Sequence, residues 1–266
     1  MKNNICTLLP PGKPWGELIH HFDTVESTNT LAKSMAAQGA PSGTVIIADH
    51  QTVGRGRLGR SFHSPAGSGI YMSVILRPNC PAQKLMHLTC AAAVAMCCAV
   101  ENAVGLRPGI KWTNDLVFGR KKAGGILTEL GFGPGGAVSY AIVGIGINCT
   151  QTAEDFPEDI RGIATSLAMV TGKPVDPAAV AAQMILAMDN ISRLLLDFKD
   201  KILDAYRKDC ITLGMDISLI RADGDVRYGK ALDIDENGAL IVDFGDGTHS
   251  AVSSGEVSVR GMYGYH

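Results

Sequence analysis

Between Leu88 and Val100 the chain reads LTCAAAVAMCCAV, an uncharged run closed by Glu101. A helix that is apolar on every side has to be enclosed by protein or by lipid. The run falls short of the roughly 20 apolar residues that span a bilayer. A buried helix over about 83–104 is therefore expected, in a core large enough to surround it, and no membrane partner. At 266 residues the chain has room for one large domain plus a small one. Its 46% hydrophobic and 19% charged residues are ordinary for a globular protein.

The formal net charge of −2 argues against a molecule that binds nucleic acid with its whole surface, so any basic site must be local. Seven cysteines without a CxxC pair suggest neither a disulfide framework nor a zinc site. Ile5 to Leu9 is too short for a signal-peptide core, and Pro10, Pro11 and Pro14 follow at once. A cytoplasmic protein is expected.

Residues 1–16 read as a lead-in. The stretch 24–39 predicts a short helix capped by Ser27 or Thr28, with Leu31, Ala32, Met35 and Ala36 on one face and Gly39 at its end. Strands are expected at Thr44–Ala48, at Ile70–Arg77 and at Val138–Ile147, the last running into Asn148. The span 109–130 reads as two strands joined by a tight turn at Gly119–Lys121. Asp176-Pro177 marks the start of a helix that turns Val180, Met184, Ile185, Met188, Ile191 and Leu195 inward, and a last helix covers about 198–209. From Leu213 the texture changes to short strands at Ile217–Arg221, Arg227–Asp233, Leu240–Phe244 and Val257–Arg260, separated by Asp-Gly and Asn-Gly turns. The expected fold class is α+β: a mixed sheet with helices on one face over residues 1–212, then a small SH3-like β-barrel over 213–266.

Four motifs carry chemistry. GRGRLGR at 54–60 puts three arginines among glycines; the glycines let backbone approach an anion, and the guanidinium forks bind phosphate or carboxylate. An exposed basic loop touching nucleic acid is the alternative, and a P-loop is excluded because no GK[ST] follows. KWTND at 111–115 ends an apolar strand in polar groups, and Lys122 then precedes the small residues Ala123, Gly124 and Gly125. GIGIN at 144–148 lacks the third glycine of a dinucleotide fingerprint and ends a strand instead of opening a helix. Alone it reads better as a glycine-kinked core strand, and Ser27-Thr28-Asn29 alone as plain helix capping.

Taken in order, Ser27-Thr28-Asn29, Gln51 with GRGRLGR, KWTND with Lys122, and GIGIN resemble the motif set of biotin protein ligases. The segment GEVSVR at 255–260 resembles the end domain of that family. The likeness spans about residues 20–260 and implies the biotin/lipoate ligase fold, related to class II synthetases. Two positions depart from the family pattern: Thr113 stands where proline is usual, which should loosen that turn, and Phe62 where tryptophan is frequent. About twenty residues precede the first motif, too few for the winged helix-turn-helix of family members that repress transcription, so the enzyme without a DNA partner is expected.

The resemblance implies that ATP and biotin are substrates, with Mg²⁺ on the phosphates and no dedicated protein metal site. The acceptor is then a lysine of the biotin carboxyl carrier protein domain of acetyl-CoA carboxylase or a related carboxylase. It assigns biotin to Ser27, Thr28, Asn29, Gln51, Gly54, Arg55, Gly56, Arg57, Lys122 and Gly125. It assigns ATP to Arg57, Arg60, Phe62, Lys111, Asn114, Lys122 and Asn148, with Asn148 on the adenine. Arg57, Arg60, Lys111 and Lys122 are expected to offset charge during attack of the biotin carboxylate on the α-phosphorus, and Asp115 to orient the acceptor amine. A lipoate or octanoate ligase shares the fold and the acyl-adenylate strategy and is the competing reading.

Overall fold

The structure is a computed structural model; it describes residues 1–221, 224–253 and 257–261, with side chains through residue 253. Gly255 and Glu256 of the GEVSVR segment lie outside the described residues. The chain opens with helices α1 (Lys2–Leu8) and α2 (Trp15–Leu18), then strand β1 (Ile19–Val25), helix α3 (Thr28–Ala37), and strands β2 (Val45–Gln51) and β3 (Gly69–Leu76). Helix α4 (Leu88–Val104) leads to β4 (Gly109–Lys111), β5 (Asp115–Phe118), β6 (Lys121–Phe132) and β7 (Val138–Asn148). Helices α5 (Glu158–Arg161), α6 (Leu167–Thr171), α7 (Pro177–Leu194) and α8 (Lys199–Asp209) follow. The chain ends in β8 (Asp216–Arg221), β9 (Val226–Ile234), β10 (Leu240–Asp243), β11 (His249–Val252) and β12 (Val257–Gly261).

The first seven strands form one mixed sheet in the order β1-β2-β3-β7-β6-β5-β4, with β1 and β2 parallel and the other neighbours antiparallel. Side chains alternate across a strand, so β2 and β3 divide their residues between two apolar layers. Val45, Ile47, Ile70, Met72, Val74 and Leu76 join the main core with α4 and α7. Ile46 and Ile75, with Ile142 of β7, face the opposite way and are covered by Ala32 and Ala36 of α3. Helices thus cover both faces, not one: the central strands are apolar on both sides and need both covered, which the single-face expectation overlooked.

The uncharged run forms α4, packed against α7, α8, β5 and β6. By length and composition the segment 82–104 could cross a membrane, yet 67% of its most apolar window is buried inside the protein. Asp176 caps α7 by accepting from the Ala178 N–H at 2.9 Å, and all six residues expected to face inward are buried.

Four expectations need correction. The lead-in holds α1 and α2, whose Ile5 and Trp15 are buried, with Leu9 between them; α1 packs on α7. The helix read over 24–39 begins only at Thr28, because β1 takes the residues up to Val25. The span 109–130 holds three strands, since the chain reverses at 112–114 as well as at 119–120. In the C-terminal module, β11 is an additional strand, and the sheet runs antiparallel in the order β11-β10-β9-β8-β12.

That module is joined to the first by shared burial: Ala231, Ile234 and Leu240 belong to the same continuous core as Cys90, Trp112 and Tyr206. Trp112 donates its indole N–H to the Gly238 carbonyl at 3.1 Å and its backbone N–H to Thr212 Oγ1 at 2.9 Å. The buried Tyr206 hydroxyl donates to the Thr113 carbonyl at 3.0 Å. The 112–114 turn is therefore tied on three sides, and Thr113 itself is buried, so the geometry gives no sign of loosening there.

Candidate active site

A cleft opens over the middle of the large sheet, with about 1080 Å³ of space counting its solvent-open part. One wall is the start of α3. Ser27, Thr28 and Asn29 are all buried, and the helix start is held by Gln51, whose Oε1 accepts from the Thr28 N–H at 2.9 Å. Ser27 is the N-cap but makes no side-chain cap bond, so the expected capping role passes to a residue from β2. Gln51 in turn donates to Ser64 Oγ at 2.9 Å.

Proton accounting orders the rest of this wall. Ser73 Oγ lies 2.6 Å from Asn29 Oδ1 and 2.8 Å from Thr28 Oγ1. An amide oxygen can only accept, so Thr28 Oγ1 donates to Gln51 Oε1 at 3.2 Å, and the Ser73 hydroxyl donates to Asn29 Oδ1 and toward Thr28 Oγ1. The Asn29 amide nitrogen donates to the Leu127 carbonyl at 3.3 Å and to Glu129 Oε2 at 2.9 Å. Asn29 is thus committed almost wholly to the protein, and Ser27 Oγ is the wall's open hydroxyl: no hydrogen bond from it exists among the described residues.

Strand β7 is bare beneath these groups for a steric reason. A Cβ on Gly144 would stand 2.0 Å from Asn29 Oδ1, and one on Gly146 2.5 Å from the Phe62 ring. The glycines of GIGIN let Asn29 and Phe62 lie directly on the strand, which pairs in unbroken register with β3 throughout.

The opposite wall comes from the arginine loop and the 111–125 hairpin. Arg57 donates to Asn114 Oδ1 at 2.9 Å, and Asn114 donates to the Ile126 carbonyl at 2.9 Å, tying the loop to the turn before β5. Burial lowers the Arg57 pKa from its usual value, Asp115 opposing and Arg60 reinforcing that shift; the side chain stays charged at any ordinary pH. A bulge between β5 and β6 sets Val117 opposite Lys122 and Leu116 opposite Gly124. Bulges re-aim side chains, and here the Lys122 ammonium reaches Asp115 Oδ1 at 2.5 Å and lies 5.9 Å from the Phe62 ring centroid. The Lys122 backbone is pinned by Ile163 and Thr165 at 2.7 and 2.8 Å.

Of the residues singled out in the sequence, Ser27, Thr28, Asn29, Gln51, Arg55, Gly56, Arg57, Arg60, Phe62, Lys111, Asn114, Asp115, Lys122 and Gly125 line this one cleft. Gly54 and Asn148 do not. Gly54 sits where a Cβ would fall 2.3 Å from the Phe62 carbonyl oxygen. Asn148 is buried, its amide donating to the Thr165 carbonyl at 2.9 Å and accepting from Gln151 at 3.4 Å. Two residues escaped the sequence reading: Ser73, a polar residue inside an apolar strand, and Glu129, a carboxylate in GGILTEL. Desolvation pushes the Glu129 pKa up, but hydrogen bonds from Lys33 and Asn29 and the charges of Lys33 and Arg55 outweigh it, leaving the value below the usual 4.5. Glu129 is ionised at neutral pH.

The fold is that of a ligase of the biotin/lipoate class. The family model described as Biotin/lipoate A/B protein ligase family matches residues 21–148, and that described as Biotin protein ligase C terminal domain matches 212–260. A bifunctional ligase/repressor BirA from Bacillus spizizenii is 38% identical over 240 residues, covering 90% of this chain and 73% of its own. A biotin–[acetyl-CoA-carboxylase] ligase from Mycobacterium tuberculosis is 32% identical over 94% of this chain and 91% of its own. The structure of the biotin protein ligase from Aquifex aeolicus in complex with biotin and ATP superposes with a TM-score of 0.76 at 28% identity, over 91% of this chain and 98% of the other. This chain belongs to the biotin protein ligase family.

Proposed function

We propose that this chain joins biotin and ATP as biotinoyl-AMP, with release of pyrophosphate, and passes the biotinoyl group to a lysine of a biotin carboxyl carrier protein domain. Ligation of biotin to protein is the activity of its family; the residue roles and the carrier are our reading. The observation that carries it is the convergence of the Ser27–Asn29 wall, the arginine loop, Asn114, Asp115 and Lys122 on one cleft.

Biotin offers a polar ureido ring and an ionised carboxylate at opposite ends of an apolar body. The ureido ring fits the Ser27, Thr28 and Gln51 wall, since unpaired buried polar groups cost about 1–3 kcal/mol each. Asn29 shapes that wall, and Arg55, Gly56 and Arg57 cover the ligand. The carboxylate end fits Lys122, above Gly125. Arg57, Arg60, Lys111 and Lys122 then oppose the repulsion between carboxylate and triphosphate and the charge that grows on the phosphoryl oxygens. No general base is needed, because the attacking carboxylate is ionised at neutral pH. The carboxylate oxygen bonds to the α-phosphorus, and pyrophosphate leaves with the electron pair of the broken P–O bond. Phe62 and Asn114 face the nucleotide; a role for Asn148 at the adenine would act from behind the strand end.

The pairing of Lys122 with Asp115 suggests how one site serves both steps. While Lys122 is drawn to the biotin carboxylate, Asp115 loses part of its counter-charge and becomes the acceptor that holds the incoming amine. Amine attack on the anhydride carbonyl then forms the amide, AMP departs, and the amine proton passes to Asp115 or water. Asp115 is the one carboxylate lining the cleft among the described residues. That donor set suits Mg²⁺ carried on the nucleotide, which takes one or two carboxylates along with phosphates. Bound on the phosphates, the ion would offset their charge.

The domain boundary belongs to the same proposal, at 212/213. Its support is that residues 210–212 still bond to Ile110 and Trp112 of the large module, whereas Gly214 already bonds to Ala231 of the small one. A cytoplasmic setting is supported by seven free cysteines. Purified protein with MgATP should exchange labelled pyrophosphate into ATP only when biotin is added. Exchange driven by lipoate and not by biotin would overturn the substrate assignment.

A further inference from the structure

Glu129 stands on β6 in contact with two residues that line the cleft, and three side chains from two other parts of the chain converge on it. Asn29 donates to Oε2 at 2.9 Å, Lys33 to Oε1 at 2.5 Å, and the Arg55 guanidinium lies 3.3 Å from Oε1 and 3.4 Å from Oε2. Asn29 and Arg55 line the cleft, on the α3 wall and on the loop respectively; Glu129 does not. One mostly buried carboxylate therefore touches both halves of the enclosure, and its charge is shared between two cations. Lys33 belongs to the same helix as Asn29 and only competes for the carboxylate, whereas Arg55 brings the loop with it.

We infer that Glu129 is a positioning residue that holds the arginine loop closed over the ligand, with Lys33 as the rival that keeps the closure reversible. The inference rests on the proposed reading of the cleft as the biotin and adenylate site. It assigns Glu129 no contact with ligand: the carboxylate acts through Arg55 on the loop and through Asn29 on the wall. Because the bond to Arg55 is ionic and the guanidinium half-exposed, its contribution should be modest and sensitive to salt.

The test is the dissociation rate of biotin and of biotinoyl-AMP from the full-length protein, at low salt and near 1 M salt. Glu129→Gln keeps an oxygen for the Asn29 amide but loses the charge. At low salt it should release both ligands about three- to fivefold faster than the unaltered protein, the scale of one such ion pair. The ratio of the two rates should fall to about one at high salt, where the pair is screened; taking the ratio cancels screening of the ligands themselves. Lys33→Gln should leave dissociation no faster, and trypsin should cut the loop at 55–60 sooner in Glu129→Gln alone. If Glu129→Gln fails to fold, Glu129→Asp, which keeps the charge but shortens its reach to Arg55, provides the rate ratio instead. Equal rates at low salt, an excess that persists at high salt, or equal acceleration by Lys33→Gln would overturn the inference, the last two marking a merely structural network. Failure of the unaltered protein to bind biotin would instead sink the underlying reading of the cleft.

Discussion

Lys122 is held 2.5 Å from Asp115 before any ligand arrives, so replacing it does two things. It removes the cation proposed to offset carboxylate–triphosphate repulsion, and it leaves the Asp115 carboxylate without its ion-pair partner. Lys122→Gln should therefore lower single-turnover adenylation by about 10²-fold or more, the scale for one transition-state donor. Transfer from supplied biotinoyl-AMP should fall much less, because amine attack on a formed anhydride lacks that repulsion. An equal loss in both assays would assign Lys122 to binding or folding. Such residues were legible in the sequence because charges that end an apolar strand demand an explanation. Ser73 and Glu129 were not: their meaning lies in contacts with Asn29 that are 44 and 100 residues apart, which no local pattern displays.

At the level of elements, β7 shows how a strand can be specified by what rests on it. The sequence left GIGIN open between a kinked core strand and a ligand motif; the strand is regular, and its glycines answer to Asn29 and Phe62. Gly144→Ala should force Asn29 away against three hydrogen bonds. We expect a loss of about 1–3 kcal/mol, the usual range for overpacking, read by thermal unfolding, together with biotin binding weakened tenfold or more by calorimetry. Unchanged melting and affinity would show that α3 can shift freely. Helix α4 was readable from its uncharged run and α7 from its cap and apolar periodicity. The edge strand β1, IHHFDTV, was not, because six of its seven residues keep some exposure and mask the alternation.

For the whole molecule, the change of texture near Leu213 revealed two modules but not their dependence on one another. The small module fixes Trp112 through Gly238, and Trp112 stands between Lys111 and the turn that carries Asn114. Gly238 has φ of +83° and its Cβ position lies 2.8 Å from Cys90 Sγ, so Gly238→Val should both strain the turn and part the modules. The expected result is a lower melting temperature and slower adenylation, although the substitution touches no ligand. A melting temperature and adenylation rate equal to those of the unaltered protein would show that the modules act independently. For the same reason, deleting residues 213–266 would bare the Trp112 side of the core and compromise the first half-reaction along with the second.

Five cationic side chains, from Arg55, Arg57, Arg60, Lys111 and Lys122, line the cleft beside Asp115, its one carboxylate among the described residues, in a chain whose formal net charge is −2. The rest of the surface is consequently more negative than the total suggests, and the molecule is an anion with a cationic mouth. A low-dielectric cleft of one sign focuses the field and gathers ions of the other. On the proposed reading of the cleft, a free triphosphate is drawn toward it before any contact forms, and added salt should slow that capture first, while the bonds inside the cleft are still intact.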